Sequence, residues 1–311
     1  MILISGEALI DLIPDANRKN GYDAVLGGSP YNVAIGLGRL GPPTAFVSRL
    51  SKDPNGESLA AALVAAGVDL SFVARDAKPS PLAFVMAGTA QSGARYSFYL
   101  DATAYDEAWP FPKIWPPGAR HLHVGSFCAV DHVHGASTVE AMASARTFAT
   151  ISFDPNIRPM VTPDREAVTP IVEREVALAS FVKASEEDLA WLYPDRDPEA
   201  SIAAWALAGP HFCVMTRGGD GAVAYLQTER FVAASPVVEV VDTVGAGDSF
   251  TSALIAAMDA DGALGVGARA PTGADLQKWL VFSVAASAIT CTRRGADPPT
   301  RAEVLAWLAK G

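Results

Sequence analysis

The segment Asp242-Thr-Val-Gly-Ala-Gly-Asp248 joins a glycine-rich turn to a carboxylate at its far end. Gly245, Ala246 and Gly247 carry no bulky side chain, so consecutive backbone N–H groups can converge on one point. At a helix N-terminus such a turn attracts an anion, phosphate above all. A carboxylate repels phosphate, so it is out of place beside a site that only holds phosphate and calls for a further role. Asp248 is of the type and in the place to take a proton from a hydroxyl that attacks a phosphoryl group held by the turn. The other reading of Asp248 is a helix cap, a common use of aspartate.

Elements must deliver this turn to its ligand. The apolar run Val237–Val241 reads as a buried strand that ends at Asp242, and Asp248 opens a helical segment, Ser249–Met258. Further strands are expected at Ile2–Ser5, Thr44–Val47, His121–Gly125, Thr150–Asp154, Phe181–Ala184, Phe212–Thr216 and Ala222–Leu226. Helical patterns lie between several of them, at Asn32–Leu40, Gly56–Ala66, Gly135–Ala145 and Pro198–Ala208. Alternation of near-continuous apolar strands with helices predicts a doubly wound α/β fold with a largely parallel sheet flanked by helices. The stretches at about 12–26 and 81–100 break that rhythm: strand-like pieces follow one another without helices, including Leu82–Met86 and Arg95–Tyr99 around a turn at Gln91–Gly93. They predict a small β flap, or lid, beside the sheet, within a single domain covering 1–311. A flap of that kind would exclude water from the chemistry.

Half of the 311 residues are apolar and 19% are charged, enough for a sizeable core. The net charge of -10 and the lack of any basic run argue against nucleic acid as a partner. Cys128, Cys213 and Cys291 are scattered among apolar neighbours without Cys-x-x-Cys spacing, which reads as buried free thiols in a reducing compartment. No stretch has the apolar length of a membrane span, and the N-terminus lacks the pattern of a secretory signal, so a soluble, cytoplasmic protein is expected.

Open α/β sheets bind ligands beyond the carboxyl ends of their strands. Those ends carry Glu7 and Asp11, then Asp154, Asn156 and Arg158, then Ser185 and Asp188, then Thr216, Gly218 and Gly221. Gly27-Gly-Ser-Pro-Tyr-Asn32 precedes a helical pattern, where Asn32 could cap the helix or bond a ligand hydroxyl. Gly36-Leu-Gly-Arg-Leu-Gly41 matches a dinucleotide-binding spacing, but its glycines fall inside that helix rather than between a strand and a helix, so it carries no such function. No Gly-x4-Gly-Lys-Ser/Thr string occurs. The pairs His121/His123 and His132/His134 lack a carboxylate or Cys at ligand spacing and read as structural.

The string Asp242–Asp248 after a strand resembles the C-terminal signature of the ribokinase-like (PfkB) family of sugar and nucleoside kinases, and Gly27–Asn32 with Gly36–Gly41 resembles its N-terminal signature. Asp154-Pro-Asn-Ile-Arg158 and Lys183 are similar to the fructokinase-like branch. The resemblance spans Gly6 to Pro299 and implies the ribokinase-like fold with a β lid made from the two irregular stretches.

It implies an ATP-dependent sugar kinase acting on a primary hydroxyl. Asp248 would be the base, with Gly245, Ala246 and Gly247 as the anion hole. Asp11, Gly27, Gly28, Asn32 and Arg158 would bind the sugar; Lys183, Thr216, Gly218 and Gly221 would face the nucleotide. Ser185-Glu-Glu-Asp188 stands where the family has Asn-x-x-Glu, which organises Mg²⁺ through water. Both ends are altered, and a helix cap explains Ser185 and Asp188 equally well. Asp242 and the closing turn at Gly295-Ala296 would stand near a monovalent cation, K⁺, as in some members. The resemblance also allows a homodimer formed through the lid.

The substrate expected is a neutral ketohexose, fructose first, because Leu100 and Asp101 follow Phe98-Tyr99 where relatives acting on a keto-sugar acid carry an Arg. Kinases of ribose, 2-keto-3-deoxygluconate or a nucleoside are the alternatives; Phe98, Tyr99 and Tyr105 could wall a nucleobase. From another class, a catalytically silent sugar-binding protein would also keep the fold.

Overall fold

In the computed structural model, the described residues are 1–15, 18, 20–86 and 95–310. In chain order the elements are β1 (Ile2–Ser5), β2 (Leu9–Pro14), β3 (Tyr22–Gly27), α1 (Ser29–Leu40), β4 (Thr44–Ser51), α2 (Pro54–Ala65) and β5 (Val73–Asp76). Next come β6 (Leu82–Met86), β7 (Arg95–Tyr99), β8 (His121–Gly125), α3 (Phe127–Val130), α4 (Gly135–Ala145), β9 (Thr150–Asp154) and α5 (Arg165–Leu178). The rest are β10 (Phe181–Ser185), α6 (Glu186–Leu192), α7 (Pro198–Trp205), β11 (Phe212–Thr216), β12 (Ala222–Leu226), β13 (Glu229–Ala233), α8 (Ala246–Ala260), α9 (Gly273–Cys291) and α10 (Arg301–Leu308).

Nine strands form one sheet in the order β13-β12-β11-β10-β9-β8-β1-β4-β5. Every pairing from β11 to β5 is parallel, and β12 and β13 add an antiparallel edge. Successive side chains of a strand point to opposite faces, and β1 shows the result: Ile2 and Ile4 join the core beneath α1, α8 and α9, while Leu3 joins the core beneath α4 and α5. Both faces are therefore covered, as the near-continuous apolar strands require. The fold is the doubly wound α/β class expected.

A second sheet of four strands, in the order β3-β2-β6-β7, gathers the two irregular stretches. β6 and β7 form the expected antiparallel pair, β2 pairs β3 antiparallel, and β2 pairs β6 in parallel. The expected turn at Gln91–Gly93 lies outside the described residues. This sheet begins earlier than expected, at Leu9 instead of residue 12, so Asp11 stands on one of its strands.

The strand expected at Val237–Val241 does not form. The position beside β12 is taken by β13, and Val237, Val240 and Val241 lie exposed. Val241 N–H donates to the Cys291 carbonyl at 2.8 Å, the only backbone bond from this run to the other described residues. Its apolar residues look like a strand, but the place beside β12 is held by β13 and the run pairs with no strand among the described residues. Cys291 also departs from expectation: Cys128 and Cys213 are buried, whereas Cys291 is partly exposed.

The glycines of the misleading dinucleotide-like string pack helices together. A Cβ at Gly36 would lie 2.4 Å from Ser252 Oγ on α8, and one at Gly38 would lie 2.2 Å from the Ala66 carbonyl oxygen after α2. Bare backbone at Gly36 lets α1 approach α8 closely, and this contact brings their N-termini to one place.

Candidate active site

α8 starts at Ala246, with Gly245 as its N-cap in the left-handed region (φ 75°), and no side chain caps it. A Cβ at Gly245 would fall 2.5 Å from Ala296 Cβ, so the turn can rest against the closing Gly295-Ala296 turn only as glycine. Asp242 braces the same turn: its carboxylate accepts from Val244 N–H at 3.1 Å and Gly295 N–H at 2.8 Å. The first turn of α8 thus presents backbone N–H groups without a capping side chain, as an anion site requires.

Asp248 occupies the third helical position and is not the cap. Its carboxylate turns toward α1, accepting from Ser29 Oγ at 2.6 Å and Asn32 Nδ2 at 2.8 Å. Asn32 is not a cap either: Gly28 is the N-cap of α1, and Asn32 lies in the first turn with its amide aimed at Asp248. Burial pushes the Asp248 carboxyl up; the bonds from Ser29 and Asn32 and the charge of Lys183 pull it back, and Asp154 adds to the rise. Such a carboxylate is oriented, and poised to accept a proton at lower cost than one in water.

The two helix N-termini border a cavity of about 260 Å³ lined by Glu7, Asp11, Gly28, Ser29, Asn32, Phe98, Asn156, Arg158, Lys183, Gly245, Gly247 and Asp248, among others. The sequence-derived base Asp248, Gly245 and Gly247 of its turn, and Asp11, Gly28, Asn32 and Arg158 of the expected sugar contacts therefore meet in one place, whereas Gly27 and Ala246 are not among the lining residues. Asp11 reaches it from β2. Burial pushes its carboxyl up to about 6, against the pull of Arg158 and with a further push from Asp248. Glu7 is fully buried, and burial raises its carboxyl to about 7 against the lowering influence of the neighbouring Cys128, Ser126 and Ser29. Its Oε1 accepts from Ser29 N–H at 3.2 Å, and its Oε2 has no partner.

Lys183, near the end of β10, donates to Asp154 Oδ2 at 2.9 Å, and both groups are buried. Burial works against the lysine's charge, but Asp154, Asp188 and Asp248 outweigh it and raise its pKa. A cation is thereby fixed beside the α8 turn: a Cβ at Gly247 would lie 3.2 Å from Lys183 Nζ.

Asp188 does form the cap that was its alternative reading. Ser185 and Asp188 make a reciprocal capping box at the start of α6. Asp188 Oδ2 accepts from Ser185 N–H at 2.8 Å and from Ser185 Oγ at 2.7 Å, and Oδ1 accepts from Ile157 N–H at 2.7 Å. Burial and the charge of Asp154 raise its carboxyl, while Lys183 and Ser185 lower it. No set of three or more His, Cys, Asp or Glu side chains among the described residues could hold a metal ion.

Of the expected nucleotide residues, Lys183 lines the cavity, whereas Thr216 at the end of β11 and Gly218 and Gly221 in the β11–β12 connection do not. Thr216 Oγ1 approaches the Ala184 carbonyl oxygen at 3.5 Å. Gly218 faces open space, but a Cβ at Gly221 would lie 2.1 Å from the Ala233 carbonyl oxygen. The room expected at Gly221 is thus filled by its own chain, and this glycine serves the hairpin. Among the histidines, His121 bonds Thr150 and Ser152, His123 bonds Ser152, and His134 stacks on Trp109.

Three participants escaped the sequence reading. Ser29 sits inside the string Gly27-Gly-Ser-Pro-Tyr-Asn32, which gives it no role of its own, Glu7 reads only as a strand-end residue, and no motif pairs Asp154 with Lys183. The one available signal was a polar residue at a strand end or just before a helix-starting proline.

The pfkB family carbohydrate kinase pattern matches residues 1–303. A fructokinase of Rhizobium leguminosarum bv. trifolii is 37% identical over 269 residues, covering 85% of this chain and 81% of the relative. Fructokinase from Vibrio cholerae O395, solved with fructose, ADP and calcium ion bound, superposes with a TM-score of 0.85 at 27% identity, covering 99% of this chain and 98% of that one. Fructokinase from Xylella fastidiosa with bound ATP gives a TM-score of 0.87 at 27% identity, with coverage of 99% and 98%.

Proposed function

The chain belongs to the pfkB carbohydrate kinase family, and from that premise we propose that it transfers the γ-phosphoryl group of ATP to a primary hydroxyl of a neutral ketohexose, fructose first. One observation carries the reading: Asp248, on the uncapped first turn of α8, shares a cavity with Asp11, Asn32 and Arg158. The similar proteins solved with fructose and ADP or with ATP support the choice of substrates.

In this proposal Asp11 and Asn32 hold vicinal hydroxyls of the sugar, with Arg158 beside them. The primary hydroxyl gives its proton to Asp248 as its oxygen attacks the γ-phosphorus. The backbone N–H groups of the Gly245–Asp248 turn hold the phosphoryl oxygens, and Lys183 supplies positive charge as negative charge shifts toward the leaving group. Thr216 at the end of β11 and Gly218 in the β11–β12 connection face the nucleotide; Gly27 and Gly28 let the sugar approach the start of α1.

Magnesium neutralises phosphate charge in such transfers. Both oxygens of Asp188 already accept hydrogen bonds, so this residue would reach a nucleotide-borne magnesium only through water. Asp242 is our candidate neighbour for a potassium ion, since its braced carboxylate holds the anion-binding turn.

We further propose that residues 1–311 act as one kinase domain, in which the four-stranded sheet serves as the lid and as a homodimer contact. Its outer aromatic row supports this: Tyr22 and Tyr99 are 44% and 59% exposed, and both rings flank Phe84 at 5.3 and 5.4 Å. No helix among the described residues is long and apolar enough to cross a membrane. A cytoplasmic setting, where ATP is supplied, completes the proposal.

An ADP-release assay over fructose, ribose, 2-keto-3-deoxygluconate and nucleosides tests the assignment. Fructose should give the highest kcat/KM. Turnover of the sugar acid with fructose inert would overturn the substrate but leave the kinase reading standing; ADP release with none of them would favour a silent sugar-binding protein.

A further inference from the structure

The hydroxyl nearest the proposed base belongs to the protein itself. Ser29 Oγ donates to Asp248 Oδ1 at 2.6 Å, a short bond of the kind made to an ionised acceptor. Ser29 is partly exposed and lines the same cavity as Gly245 and Gly247. It is held there from two sides: its backbone N–H donates to Glu7 Oε1 at 3.2 Å, and it is the first residue of α1, followed by Pro30. A hydroxyl bonded to the base, facing the anion-binding turn, has the chemical position of the sugar's primary hydroxyl when no sugar is bound.

We propose that Ser29 is a self-phosphorylation site, modified by the same machinery when ATP is present and sugar is absent. The inference rests on the kinase reading above. Ser29 Oγ attacks the γ-phosphorus; a Ser29 Oγ–P bond forms, the bond from that phosphorus to the β-phosphate oxygen breaks, and ADP leaves. The hydroxyl proton passes to Asp248 and then to water.

The surroundings act on the product in both directions. A phosphoserine at the first position of a helix is favoured by the helix dipole, and Lys183 and Arg158 line the cavity. Glu7, Asp11 and Asp248 line it too and oppose a new anion, although burial raises all three carboxyls toward their neutral forms. A phosphate on Ser29 would stand against the base and block the sugar, so the modified protein is an inactive form. Bound sugar protects by donating to Asp248 in place of Ser29. The enzyme would thus be silenced by ATP in the absence of its substrate, and protected by the substrate.

The test uses full-length protein shown by mass spectrometry to be unmodified at Ser29. It is incubated with Mg-ATP, with and without fructose, and followed by peptide mapping and by assay of fructose phosphorylation in the same samples. The expected result is a phosphoryl group on Ser29 that accumulates without fructose, is suppressed by fructose and does not form in Asp248→Asn. The fraction of activity lost should equal the fraction modified. Fructose turnover with Ser29 unmodified after prolonged incubation would overturn this inference alone. A phosphate on Ser29 that also forms in Asp248→Asn would overturn it by another route, since the base would not be involved. Failure of both fructose turnover and Ser29 modification would sink the kinase reading with it. Modification of Ser29 without fructose turnover would uphold the inference and send the substrate assignment back to the panel.

Discussion

A Cβ placed on Gly27 would lie 2.2 Å from Oδ2 of Asp11, so the last residue of β3 is bare where the carboxylate on β2 needs room. The pair joins the four-stranded sheet to the start of α1 and hence to Asp248. Gly27→Ala must turn the Asp11 carboxylate away from its place. We expect the KM for fructose to rise by about tenfold or more, roughly 1.4 kcal/mol of lost binding, with a smaller change in kcat. An unchanged KM would show that Asp11 does not hold the sugar.

The pH dependence follows from the same carboxylate. Asp11 accepts hydroxyl hydrogen bonds best when ionised, and burial raises its pKa to about 6. The KM for fructose should therefore fall as pH rises through about 6, and Asp11→Asn should flatten that limb. Stability runs the other way. Because the folded pKa lies above the ordinary 3.8, the contribution of this group is full below 3.8 and is lost as pH rises through about 6. A pH profile of KM without inflection in that region would contradict the role.

Lys183 and Asp154 form a buried pair at 2.9 Å through Asp154 Oδ2, which also accepts from Thr251 Oγ1 at 3.4 Å, and Asp154 Oδ1 has no hydrogen-bond partner. Lys183→Met leaves an unpaired buried carboxylate, and we expect a loss of about 3–5 kcal/mol in unfolding free energy. Adding Asp154→Asn should recover part of that loss, because the two effects are coupled. A double-variant loss equal to the sum of the two single-variant losses would show that the pair does not act as one unit.

Asp188→Ala separates the cap from the metal. Removing the capping box should cost about 1 kcal/mol of stability, read as a lowered Tm. If Asp188 also acts through magnesium-bound water, the magnesium concentration for half-maximal rate rises as well. A lowered Tm with unchanged magnesium dependence would leave Asp188 as a cap alone.

The sequence made the parallel strands legible because each is a short, near-continuous apolar run buried on both faces, as in His121–Gly125 and Phe212–Thr216. The same rule misled at Val237–Val241, which pairs with no strand among the described residues, the place beside β12 being held by β13. β13 itself, Glu-Arg-Phe-Val-Ala, is too polar to announce a strand and forms by pairing with β12. α5 was hidden by Pro170 within it, and α9 by its apolar residues all round, which leave no helical stripe to read. At the site, Asp248, Asp11 and Asn32 were legible from residue type and local motif. Their mutual arrangement was not, because Ser29 and Asn32 lie 219 and 216 residues from Asp248 and meet it only through the packing of α1 on α8.

In the proposed reaction Asp248 removes the proton from the attacking hydroxyl. The most direct measurement is kcat for fructose phosphorylation by Asp248→Asn, with ATP affinity measured on the same protein by titration calorimetry. We expect kcat to fall by about 10²- to 10⁴-fold while ATP still binds. Retention of more than about a tenth of kcat would contradict the assignment of Asp248 as the base.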